Sequence, residues 1–277
     1  MTAADLFAGI GGFRLGLETA GFEFKWACEI DPYCRKVYLK HWPGTDPFYE
    51  DIREVHDAPE VDLLCGGFPC QDVSLAGKRA GITGERSGLW SEFARLIGEV
   101  RPRYALIENV PGLLVRGLER VLFDLSEIGY DAEWHSIPAA AFGAPHIRDR
   151  VWIIAYATGD EDRKDRSSNG SDDVADASSI RRKERRGLFS RLHQQTPENG
   201  SVESVRDRNR WASGQWAVEP RLGELVDGLS PELAGRFIRV AKGCPDRSSK
   251  LRALGNAVVP QVVEWIGRRI MEAEAGA

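Results

Sequence analysis

The chain has 277 residues, of which 42% are hydrophobic and 29% charged, and its formal net charge is −5. These values fit one large domain, or one domain with a smaller insert, and exclude the uniformly basic balance of a histone-like nucleic-acid coat, though not an enzyme with positive charge gathered on one face. No stretch reaches the roughly 20 apolar residues of a membrane span, and the first residues carry no signal-peptide pattern.

The opening half reads as alternating strands and helices, which implies an α/β fold. Ala3–Phe7 is a strand ending in glycines, Phe13–Ala20 a helix stopped by Gly21, Phe24–Cys28 a second strand, and Pro32–His41 a second helix with proline in its first turn. Val61–Cys65 is an apolar third strand. Leu89, Phe93, Leu96, Ile97 and Val100 recur at helical spacing. Tyr104–Ile107 is the next strand and Leu118–Ile128 the next helix. Trp134–Ile137 and Val151–Ala155 are the last strands, the latter a continuous apolar run that predicts burial on both faces.

Composition breaks after Ala157. Asp160–Asp176 is net acidic and Arg181–Arg210 net basic, with few large apolar residues in either. This reads as a solvated insert whose basic part could contact nucleic acid. Order returns from Trp211, and Val259–Met271 predicts a closing helix with Val262, Val263, Ile266 and Ile270 on one side.

Two loops can carry chemistry. Asp5-Leu6-Phe7-Ala8-Gly9-Ile10-Gly11-Gly12-Phe13 joins a strand to a helix, where glycines permit tight turns and close approach to a ligand. Glu29, at the end of the second strand, could bind ribose hydroxyls, and Asp51 sits beyond the third crossover; the alternative for each is an ordinary loop carboxylate. The loop lacks the Lys-Ser/Thr ending of a phosphate-cradling Walker loop. Gly66-Gly67-Phe68-Pro69-Cys70-Gln71 follows a buried strand, so Cys70 leaves a stiff turn where α/β sheets place their ligands. A thiolate there is a candidate nucleophile. Cys28, Cys34, Cys65 and Cys244 read as structural. Five cysteines without a C-x-x-C pair argue against a disulfide framework or a zinc ribbon, so no metal is expected and the chain suits a reducing cytoplasm.

On these residues the sequence resembles the DNA cytosine-5 methyltransferases, in particular their short bacterial and bacteriophage members. Asp5–Phe13 resembles the family's cofactor loop, Pro69-Cys70-Gln71 its nucleophile loop and Glu108-Asn109-Val110 its catalytic-acid motif. His146-Ile147-Arg148-Asp149-Arg150 is similar to its Gln-x-Arg-x-Arg block with His in first place. Gly255-Asn256-Ala257-Val258-Val259 is similar to its last block, with Ala where Ser is common.

The resemblance implies a doubly wound, mostly parallel sheet with a short inserted target-recognition segment. Residues 1–157 would form the catalytic and cofactor-binding domain, 158–215 the variable insert, and 216–277 the part completing the catalytic domain. It implies S-adenosylmethionine as cofactor, held by Phe7, Gly9, Gly11, Glu29, Asp51 and Asn256. Cys70 is the implied nucleophile, Glu108 the proton donor to ring nitrogen 3, and Asn109 orients the loop. Arg148 and Arg150 alternate with their neighbours, so on an extended segment both would face one side and could fix a cytosine carbonyl or a phosphate. The implied partner is double-stranded DNA, acted on by a monomer, and two settings stay open: a system shared with a cognate restriction endonuclease, or a solitary viral or host-modifying enzyme. An RNA cytosine-5 methyltransferase and a non-catalytic DNA-binding relative remain alternatives on the same scaffold. A dinucleotide oxidoreductase has no role for the Cys70 and Glu108 pair.

Overall fold

The computed structural model describes residues 1–69, 88–144, 146–158 and 245–275. Cys70, the loop to residue 87 and nearly all of the 158–215 insert lie outside the described residues, as does the start of the C-terminal part.

In chain order the elements are β1 (Thr2–Leu6), α1 (Gly12–Ala20), β2 (Glu23–Cys28), α2 (Pro32–His41), β3 (Phe48–Tyr49) and β4 (Leu63–Gly66). There follow α3 (Gly88–Val100), β5 (Tyr104–Asn109), the short α4 (Leu113–Arg116), α5 (Leu118–Glu127), β6 (Tyr130–Pro138) and β7 (Asp149–Ala157). Helices α6 (Arg247–Asn256) and α7 (Pro260–Ala275) close the described chain.

The seven strands form one sheet in the order β3-β2-β1-β4-β5-β7-β6. β1 to β5 are mutually parallel, and β7 runs antiparallel to both neighbours. The chain steps outward from β1 through β2 and β3, then returns to β1's other side as β4. The carboxyl ends of β1 and β4 therefore flank a topological switch point, where open α/β sheets bind ligands.

Successive residues of the central strands point to opposite faces. Ala4, Leu64, Ala105 and Ile153 join a core with α3 and α5; Ala3, Leu63, Leu106 and Ile154 join another with α1 and α7. Both faces are covered, as the apolar run at Val151–Ala155 predicted. Helices α1 and α7 pack very closely. A Cβ on Gly16 would lie 2.7 Å from Val263 Cβ, and one on Gly267 would lie 2.9 Å from Ala20 Cβ. Thus the last helix docks on the first and places the α6–α7 junction beside the β1 loop.

Differences from the sequence reading have local causes. The two-residue β3 has no periodicity to detect and exists through pairing with Ala27 and Cys28. β6 is longer than expected because Asp131, Glu133 and His135 interrupt its apolar pattern at the sheet's edge. α6 buries Ala253 alone, so it carries no amphipathic signal.

Candidate active site

The loop after β1 rises at the switch point. Phe7 and Gly9 hold φ of 54° and 55°. The nearest atom to a Cβ on Gly9 would be the Phe7 carbonyl oxygen at 4.0 Å, so the missing side chain faces open space. Gly11 differs: its φ is 89°, and a Cβ there would strike the Trp42 ring. Close approach to a ligand is thus a property of Gly9, and Gly11 accommodates packing. Glu29 is buried at the end of β2. Its two oxygens accept from the backbone N–H groups of Gly9 and Asp31, each at 2.7 Å. Burial raises its pKa, against the lowering effect of those N–H groups. Asp51, following β3, is paired with Arg53 at 2.6 Å, which lowers its pKa.

Beneath this loop Asp5 is fully buried, with Oδ2 unpartnered. Burial, then the charge of Glu29, push its pKa well above the usual carboxylate range. Arg14 braces the same region. It binds Glu18 at 2.7 Å and Thr45 at 2.6 Å, with its guanidinium over the Phe24, Tyr38 and Trp42 rings. Neither the complete burial of Asp5 nor the contacts of Arg14 had a local signature in the sequence.

On the other side of the switch point Glu108 and Asn109 end β5. Antiparallel pairing sets Glu108 opposite Trp152 and Asn109 opposite Val151. Arg150 therefore lies diagonally from Glu108 on the same face, within reach of a long side chain. Its Nε donates to Glu108 Oε1 at 2.9 Å. Glu108 is 9% exposed. Burial raises its pKa, and Arg150 and Arg148 oppose the rise. A Cβ on Gly67 would lie 2.7 Å from Glu108 Oε2, so only a glycine leaves the carboxyl its place over the turn after β4. Asn109, 2% exposed, donates from Nδ2 to the Phe68 carbonyl at 3.3 Å and accepts from Val110 N–H at 2.8 Å. Phe68 packs on Trp90, ring centroids 5.2 Å apart. The segment leading into Cys70 is thus tied to Asn109 by a hydrogen bond and lies directly against the Glu108 carboxyl.

Arg148 departs from the same-face expectation. It precedes β7 and has φ of 32°, so strand alternation does not extend to it. Its Nη2 donates to the carbonyls of Gly255, at 2.8 Å, and Ala257. Asn256, between them, is exposed at the end of α6. Arg252 joins α6 to Asp31, the N-cap of α2, at 2.9 Å. Phe7, Gly9, Glu29, Asp51, Glu108 and Arg150 all come to one edge of the sheet.

Comparison with known proteins places this geometry in context. Residues 1–226 match the profile described as C-5 cytosine-specific DNA methylase. The chain is 31% identical to Type II methyltransferase M2.BsuMI of Bacillus subtilis (strain 168), over 98% of its own length and 76% of that protein. It is 36% identical to Type II methyltransferase M.HhaI of Haemophilus parahaemolyticus over 55% of its length, which spans 48% of that relative. Among solved structures, the S. pombe Dnmt2 methyltransferase superposes with a TM-score of 0.57 at 19% identity, covering 98% of this chain and 99% of that one. The sheet and its covering helices are the α/β methyltransferase fold.

Proposed function

The chain belongs to the family of C-5 cytosine-specific DNA methylases, and we propose that it moves a methyl group from S-adenosylmethionine to carbon 5 of a cytosine in duplex DNA through an adduct on Cys70. The observation that carries this reading is the buried Glu108 carboxyl, paired with Arg150 and seated against the Gly67–Phe68 turn that leads to Cys70.

The residues at the switch point fit a nucleoside cofactor. Gly9 leaves open space beside the half-buried Phe7, and Glu29 and Asp51 keep lone pairs for hydroxyl and amino groups beyond the bonds they already accept. Asn256 would close the other side. When bound, the cofactor supplies an electrophilic methyl on a sulfonium.

A base inside a duplex presents neither face to a thiol, so the target cytosine is flipped out. The Cys70 thiolate adds to carbon 6, breaking aromaticity. Protonated Glu108 donates to nitrogen 3 as the bond forms, which neutralises the ring and gives carbon 5 enamine character. After methylation a base removes the carbon-5 proton, the carbon–sulfur bond breaks, and nitrogen 3 returns its proton to Glu108. Arg150 orients the Glu108 carboxyl, and its remaining donors suit the cytosine carbonyl.

The same reading makes residues 158–215 a target-recognition segment, on the strength of their charge pattern. It makes the protein a single-chain enzyme of the cytoplasm, in a restriction–modification system with a cognate endonuclease. The names of its Type II relatives support the system. The cysteine usage, five residues without a C-x-x-C pair, supports a reducing compartment.

Bisulfite sequencing of DNA from cells expressing the protein would give the methylated site. Duplex DNA with 5-fluorocytosine at that site then tests the chemistry. Fluorine cannot leave as a cation, so the expected product is a denaturation-resistant adduct on the Cys70 peptide, absent in Cys70→Ser. An adduct on another cysteine, or methylation of transfer RNA and not of DNA, would overturn the reading.

A further inference from the structure

Arg148 stands where two halves of the site meet. With φ of 32° it turns out of the β7 alternation, away from the role its neighbour Arg150 takes toward Glu108. One guanidinium nitrogen, Nη2, donates to the carbonyls of Gly255 and Ala257, the two residues flanking Asn256. Carbonyls at a helix C-terminus lack intrahelical partners and carry the negative end of its dipole, so a cation there satisfies both. The next residue, Val258, meets the start of α1: a Cβ on Gly12 would lie 2.8 Å from Val258 Cγ2. The α6–α7 junction is therefore pinned between the entrance of β7 and the loop after β1, and Asn256 sits exposed at the middle of the pinned stretch.

We propose that Arg148 is a positioning residue for the cofactor half of the site, holding the Asn256 segment through the Gly255 and Ala257 carbonyls, and does not itself contact the base or a phosphate. The inference rests on the proposed function for the identity of the cofactor. It separates two arginines that adjacency makes look alike. Arg150 serves the acid, and Arg148 serves the segment that faces the cofactor loop. The cation of Arg148 also reaches Glu108, opposing the rise in its pKa, so the two halves share one charge.

The test is calorimetric binding of S-adenosylhomocysteine without DNA, for wild type, Arg148→Ala, Arg148→Lys, Asn256→Ala and the double variant Arg148→Ala/Asn256→Ala. Methylation kinetics and thermal unfolding are measured on the same proteins. Arg148→Ala is expected to weaken cofactor affinity about tenfold, the scale of coupling between groups in contact. At saturating cofactor its kcat stays within a few-fold of wild type. Arg148→Lys, which keeps a cation able to reach the carbonyls, recovers part of the affinity. The double variant binds no worse than the weaker single variant, because both act through one segment. Unchanged cofactor affinity with a collapsed kcat or weakened DNA binding would overturn the proposal, since Arg148 would then act on the nucleic acid. Additive losses in the double variant would also overturn it. If Arg148→Ala does not fold, Arg148→Lys decides by the same affinity and kcat comparison. Wild-type protein that methylates DNA but binds no S-adenosylhomocysteine alone would overturn the proposal and leave the cytosine chemistry standing; failure to methylate would overturn the function itself.

Discussion

Glu108 and Arg150 meet across two strands that run in opposite directions, with Nε of the arginine 2.9 Å from Oε1 of the carboxylate. The contact depends on β7 being antiparallel. Only then does the beginning of one strand lie beside the carboxyl end of β5, at the edge where the parallel strands deliver their loops. Burial works to keep the carboxyl protonated, and the arginine limits that effect while fixing its direction.

Replacing Glu108 with Gln keeps the shape and removes the acid. Methylation is expected to fall by about 10²–10⁴-fold, the usual scale for loss of a general acid, while cofactor binding survives. In the proposed mechanism the protonated form of Glu108 is the active one. The rate therefore declines as pH rises through the elevated pKa of Glu108. A pH–rate series on both proteins checks this; near-normal turnover by the variant removes Glu108 from the mechanism.

Arg150→Gln removes a charge that pulls the Glu108 pKa down. The alkaline limb of the pH–rate profile is expected to move to higher pH even as kcat drops. A limb that stays in place would show that the ion pair does not set the acid's protonation.

Gly67→Ala would put a methyl group 2.7 Å from Glu108 Oε2. The obstacle is the end of a side chain, so the fold tolerates the change and the carboxyl moves aside. A displacement of about 1 Å in such a group costs on the order of 10²-fold in rate. Activity is expected to fall far more than the melting temperature, and equal losses in the two would count against this account.

Asp5 gives a stability prediction. Its folded-state pKa is raised well above the ordinary value, so the folded state holds its proton more tightly than the unfolded chain. The stability associated with that proton is present below the unfolded pKa and is lost as pH rises through the folded one. Asp5→Asn has no charge to bury, and its melting temperature is expected to gain on that of wild type as pH rises from the ordinary aspartate pKa through the raised folded-state one. A constant difference across that range would mean that Asp5 does not titrate with folding.

Pro32–His41 was readable residue for residue, since a proline in the first turn is a local feature that acts before any packing occurs, and the structure adds Asp31 as its N-cap. The strand–glycine–helix turn at residues 5–13 was readable for the same reason, since residue type and spacing carry it, whereas the proposed roles of Cys70, Glu108 and Arg150 rest on the resemblance to the cytosine-5 methyltransferases. Tertiary structure decided which of those residues meet. The reversal of β7 is a pairing choice made between Val151–Tyr156 and Tyr104–Asn109, and an apolar run buried on both faces reads the same in either direction. That choice brings Arg150 to Glu108. The positive φ of Arg148 breaks the alternation that made the two arginines look equivalent, and the docking of α7 on α1 delivers Gly255 and Ala257 to Arg148 from more than a hundred residues away. Contacts at that separation arise from the packing of whole elements, which no local pattern of polar and apolar residues specifies.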